Sequence, residues 1–125
     1  MKYPTQAATL TGILALFSNS AFAATPIPHE IYSPADAVVV RTELPGSGEF
    51  GVKFRLNSRH TSVKNLAQEV RRHAKSQGFK EIRALVQHND ADLKFKRKDQ
   101  ELDISIEEKQ HGVIEYKADL DLDKA

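Results

Sequence analysis

The chain has 125 residues, with 18 Lys and Arg against 17 Asp and Glu, no Cys, no Trp and 40% hydrophobic residues. That size and near-average composition fit one small soluble domain, and exclude disordered, collagen-like and membrane-embedded chains. The lack of Cys excludes disulfide scaffolds, thiolate metal sites, iron–sulfur clusters and cysteine nucleophiles.

Met1-Lys2 is a short positive start, residues 7–17 form an uncharged and mostly apolar run, and Ala21-Phe22-Ala23 closes a polar stretch. This layout predicts a secretory signal peptide over residues 1–23, cleaved between Ala23 and Ala24. Read instead as an anchor helix, the run would rise only about 16 Å, roughly half the hydrocarbon core of a bilayer. The expected product is soluble, in the bacterial periplasm or outside the cell.

Residues 24–35 carry Pro26, Pro28 and Pro34, which forbid regular hydrogen bonding. They predict an extended leader, acting as a tether or an edge-covering arm, ahead of a single domain over residues 36–125. Within that domain, residues 37–42 are rich in β-branched side chains, and residues 44–48 (LPGSG) are a turn signal. A hairpin follows, because Phe50, Val52, Phe54 and Leu56 alternate with Glu49, Gly51, Lys53 and Arg55, leaving one face buried and one wet.

Thr61 or Ser62 then stands where a helix N-cap belongs. Val63, Leu66, Ala67, Val70 and Ala74 follow the helical repeat and form one apolar stripe over residues 62–77. Gly78 supplies a left-handed stop, with Phe79 placed to fold back on the last turn. Four strands complete the chain on a two-residue period: Ile82, Ala84 and Val86; Leu93 and Phe95; Leu102, Ile104 and Ile106; and Ile114, Tyr116, Ala118, Leu120 and Leu122. Short links between neighbours imply antiparallel pairing. The predicted class is α+β, an antiparallel sheet of about six strands in the order β-β-α-β-β-β-β with one helix on its apolar face. The last strand and the strand at 38–40 are the expected sheet edges, open to pairing with a second copy or with a partner strand.

No chemistry is written in the motifs. His29, His60, His73, His88 and His111 lack metal-ligand or triad spacing, and there is no phosphate loop, nucleophile elbow or dinucleotide fingerprint. No cofactor is expected. Asp119, Asp121 and Asp123 share one face of the last strand, but strand-spaced carboxylates do not wrap an ion, so they predict a solvated edge rather than a metal site.

Charge is segregated instead. Residues 53–83 hold nine basic residues against Glu69 and Glu81, whereas residues 24–52 and 84–125 are both net acidic. Lys64, Arg71 and Lys75 fall in one helical sector with Arg72 beside them, and Arg55 and Arg59 precede the helix. Such a face is either plain solvated surface or an anion-binding surface. The functional expectation is a non-enzymatic binding or accessory protein that docks an acidic protein or another anionic envelope component. Nucleic acid is disfavoured because no aromatic ladder accompanies the charges.

Two rival readings stand beside it. One is a carrier of a small hydrophobic ligand, with a cavity lined by Phe50, Phe54, Leu56, Phe95, Ile104 and Tyr116, although the same residues serve equally as core. The other is a small hydrolase using His60 or His73 with a nearby acid.

Overall fold

The structure, a computed structural model, describes residues 26–44 and 48–122. The expected signal peptide, its Ala23/Ala24 junction, turn residues 45–47 and Asp123 lie outside the described residues. Six strands and one helix follow in chain order. These are β1 (Val38–Glu43), β2 (Glu49–Asn57), α1 (Val63–Ser76), β3 (Lys80–Val86), β4 (Asp90–Arg97), β5 (Gln100–Lys109) and β6 (Val113–Asp121), with a 3-10 turn at Gln110–Gly112 before β6. All strands join one antiparallel sheet in the order β1-β2-β6-β5-β4-β3. The predicted α+β architecture is the one observed.

The two-residue period sorts each strand into a core face and a wet face. Phe50, Val52, Phe54 and Leu56 of β2 meet Leu120, Ala118, Tyr116 and Ile114 of β6 across the ladder, and all eight are buried. The stripe of α1 covers the same face of the sheet over β3, β4 and β5, burying Val63, Leu66, Ala67, Val70 and Ala74. Small residues on the helix allow it to approach large ones on the sheet, so interdigitation sets the layer spacing.

The ends of α1 are specified locally. Of the two N-cap candidates, Ser62 takes the position, and its hydroxyl accepts the Asn65 amide at 3.1 Å. Ser62→Ala is expected to cost about 1 kcal/mol in urea unfolding, and Thr61→Ala much less. At the other end Gly78 adopts φ +90° and Phe79 donates its amide to the Ala74 carbonyl at 3.0 Å. A side chain at Gly78 would be strained by that φ wherever its atoms fell.

Three expectations are corrected by the tertiary arrangement. First, β6 is not an edge: it lies between β2 and β5, and the edges are β1 and β3. Ile114, Tyr116, Ala118 and Leu120 need cover on both flanks, and the long return from β2 provides it. Asp119 and Asp121 therefore belong to the wet face of an interior strand, where Asp119 sits opposite Gly51 and Asp103.

Second, Ile82 does not point inward. A bulge between Glu81 and Arg83 shifts the β3 register, placing Glu81 opposite Phe95 and leaving Ile82 57% exposed. One extra residue in an edge strand reverses which neighbour faces the core.

Third, the Pro-rich leader is part of the core rather than a tether. Ile31 is buried, Ile27 and Tyr32 pack against the core, and the Tyr116 hydroxyl donates to the Tyr32 carbonyl at 2.8 Å. The helix clips the same segment: His73 Nε2 lies 2.8 Å from the His29 carbonyl, and the Tyr32 hydroxyl donates to Glu69 at 2.9 Å. Nor is the segment extended throughout: the Ile31 amide donates to the Pro28 carbonyl at 3.0 Å and the Ala37 amide to the Pro34 carbonyl at 3.2 Å, so two turns follow the prolines and lay the segment over sheet area that the helix leaves uncovered.

Candidate functional site

The helical repeat that sends the apolar stripe of α1 inward sends its basic residues outward. Gln68, Arg71, Arg72 and Lys75 line one shallow concavity of about 290 Å³. Arg71 is held there by a bidentate pair with Glu81, at 2.6 and 3.1 Å, which the β3 bulge turns toward the helix. Arg72 and Lys75 form no ion pair among the described residues. Lys64 is exposed one helical turn before Gln68, on the same flank.

The remaining two predicted residues lie elsewhere. Arg55 belongs to the wet face of β2, since its neighbours Phe54 and Leu56 point to the core, and it faces Glu115 at 3.6 Å. Arg59 is exposed in the turn after β2, where its amide donates to Asn57 Oδ1 at 2.8 Å. Strand alternation puts Arg55 on the sheet face opposite the helix, and Arg59 follows the strand in a turn outside any shared helical face.

A second basic cluster was not singled out from sequence. Gly78, Lys80, Ile82, Lys96, Arg97 and Lys98 line a concavity of about 420 Å³ at the end of β3 and β4. Lys80 and Lys96 are direct cross-strand neighbours, an arrangement of like charges that destabilises the pair unless an anion or solvent screens it. Lys80, Lys96 and Lys98 form no ion pair among the described residues. Glu81 stands beside Lys80 in the chain and touches Arg71, so the basic surface wraps round the β3 edge from the helix to the lysines. The pairing of β3 with β4, invisible in the linear charge count, brings Lys96 and Lys98 into it.

Lys80 and Lys96 lie on the wet face of the sheet, and further along that face the bases are paired. There Lys53 lies 3.8 Å from Glu115, and Lys94 lies 3.9 Å from Glu101 and 3.8 Å from Asp103. Partial burial pushes the Asp103 carboxyl above its ordinary value; Lys94 opposes this, while Glu101, Asp119 and Asp121 add to it. With its folded value raised, ionised Asp103 weakens the fold, and the folded state takes up a proton ahead of the unfolded one as pH falls. Asp103→Asn is therefore expected to raise stability at neutral pH by a few tenths of a kcal/mol, about the size of one cross-strand pair, with the gain vanishing in acid. Urea midpoints at the two pH values check it.

The six residues predicted to line a ligand cavity are all buried. Phe50, Phe54, Phe95, Ile104 and Tyr116 are at most 2% exposed, and the Phe54 and Tyr116 rings stack with centroids 5.0 Å apart. Leu56 lines a cleft of about 210 Å³ with Tyr32, Asp36, Asn57, His60, Leu66 and Glu69, between the leader and the start of α1. His60 and two acids thus share one cleft, while His73 is engaged with the leader carbonyl. Burial and the hydrogen bond to Glu69 both push the Tyr32 phenol above its ordinary value, so it stays protonated and donates. Among the described residues no group of His, Asp and Glu is arranged to hold a metal ion. No helix among them is long and apolar enough to cross a membrane. No protein-family model, curated protein or solved structure matches the chain.

Proposed function

We propose that this chain is an exported, non-enzymatic binding protein of the bacterial periplasm or cell exterior, which docks an acidic protein partner on the basic surface of α1. The observation that carries the reading is the unequal pairing of charge. Lys53, Arg55 and Lys94 on the wet face are ion-paired to carboxylates, whereas Arg72 and Lys75 on the helix form no ion pair among the described residues. Arg71, braced by Glu81, holds the concavity open between them. An acidic partner would complete these charges, and complementarity of this kind raises association rate and selectivity more than affinity.

The Lys80, Lys96 and Lys98 cluster supports an extended footprint rather than a point contact. Exposed charges act over about 10 Å at ~0.1 M salt, so the interaction is expected to fall steeply as salt is raised.

The test is capture from envelope extract at low and high salt, with the wild-type chain and the Arg72→Gln/Lys75→Gln variant as baits. The expected result is an acidic protein that elutes with salt, is lost by the variant, and binds again when purified. An identical set of captured proteins on both baits would overturn the proposal. Lys64→Gln is expected to weaken capture less, because Lys64 does not line the concavity.

A further inference from the structure

The two sheet edges differ in how they are guarded. On β3 Glu81 is engaged by Arg71 and Arg83 by Asp92 at 3.2 Å, with Lys80 in no ion pair among the described residues, whereas on β1 Arg41 and Glu43 pair only with each other along the strand, 3.4 Å apart. On β1 the edge is apolar at both ends of a short charged centre: Val40 is 42% exposed and Leu44 64%, with Arg41, Thr42 and Glu43 between them. Arg41 and Glu43 stand opposite Lys53 and Gly51, on the wet side of the sheet, and Thr42 stands opposite Val52, on the core side. Val40 is the residue that the bulge between Val39 and Arg41 leaves without a β2 partner, and residues 41–43 keep regular pairing with β2.

The segment is self-complementary when reversed. We propose that two copies of this chain pair through β1, antiparallel about a two-fold axis at Thr42, so that the two sheets become one continuous sheet. In that register Val40 faces Leu44 of the other copy, Arg41 faces its Glu43, and the two Thr42 residues face each other. Apolar, opposite-charge and Thr–Thr pairs are each favourable across an antiparallel ladder. Neighbouring registers lose this match. An axis at Arg41 sets Arg41 against Arg41 and Val39 against Glu43, and an axis at Glu43 sets Glu43 against Glu43. An axis at Val40 sets Val39 against Arg41. One register alone satisfies every pair, and the interface is isologous, as a two-fold dimer requires. Pairing also covers the open amides and carbonyls of an edge whose exposed valines otherwise invite unspecific association.

Sedimentation velocity over a concentration series tests the proposal, using wild type, Arg41→Glu, Glu43→Arg and the double exchange Arg41→Glu/Glu43→Arg. Wild type is expected to dimerise reversibly. Each single reversal places like charges across the axis twice, and is expected to weaken dimerisation about tenfold or more. The double exchange restores both pairs and is expected to recover the wild-type dissociation constant. An equimolar mixture of the two single variants is expected to form a heterodimer, because each supplies the charges the other lacks. Urea unfolding of the variants, at exposed edge positions, checks that they fold. A wild-type chain that stays monomeric at every concentration overturns the proposal, as does a dimer indifferent to the single reversals or not recovered by the double exchange.

Discussion

Tyr116→Ala is expected to destabilise the fold by about 3–5 kcal/mol, the range for removing a fully buried aromatic side chain. The ring has no solvent exposure, stacks on Phe54, and stands in β6 at the middle of the sheet. Little in that position can relax into the space left behind, since β2 and β5 hold β6 from both sides. Tyr116→Phe separates packing from hydrogen bonding. It keeps the ring and removes only the hydroxyl that donates to the Tyr32 carbonyl at 2.8 Å, at a cost of about 1 kcal/mol. Burial raises the phenol well above its ordinary value, so the group remains a donor across the working pH range. Urea unfolding of both variants checks this pair of values. If Tyr116→Phe matched wild type, the leader would not be anchored through this bond. Protease sensitivity near Tyr32 is expected to rise in Tyr116→Phe, because the bond is one of those that hold the leader to the sheet.

Arg97→Ala is expected to cost about 2–3 kcal/mol, because its guanidinium makes several charge-assisted bonds from a partly buried position. It donates to the Gln77 carbonyl at 2.7 Å, to Glu30 at 3.0 Å and to Gln100 Oε1 at 2.7 Å, and its guanidinium carbon lies 4.5 Å from the centre of the Phe79 ring. One residue of β4 thereby ties the end of α1, the leader and the start of β5 together. Removing it leaves the Glu30 carboxylate, 14% exposed, without its cation.

The same site sets part of the acid response. Burial alone would raise the Glu30 carboxyl, but backbone hydrogen bonding, the Arg97 hydrogen bond and the charges of His29 and Arg97 outweigh it, and the group sits below its ordinary 4.5. A carboxyl lowered by folding contributes stability that is present above 4.5 and is lost as pH falls through the folded value. Wild type is therefore expected to lose stability on acidification below that point more steeply than Glu30→Gln. In Arg97→Ala the Glu30 value rises and its contribution shrinks. A set of unfolding curves from neutral pH downward measures all three chains, and equal acid slopes for wild type and Glu30→Gln would falsify the assignment.

Much of the candidate site is legible in the sequence. Arg71, Arg72 and Lys75 could be grouped because a helix repeats at a known angle, and the apolar stripe told which side of it faced the sheet. Arg55 and Arg59 could not be placed by the same argument, since strand and turn residues have no shared axis with the helix. Lys96 and Lys98 entered the basic surface through the β3–β4 pairing, which joins residues that belong to segments of opposite net charge.

The elements, their ends and the inward face of nearly every strand are legible along the chain, because periodicity, capping and turn chemistry act between residues a few positions apart. The order of the strands, the central place of β6, the turn of Glu81 toward Arg71 at the bulge and the docking of the leader on Tyr116 come instead from long-range packing. Each of these depends on contacts between segments distant in the chain, where burial of the whole apolar face outweighs local preference. The edges that remain, β1 and β3, follow from that order, and so do the surfaces this protein has to offer a partner.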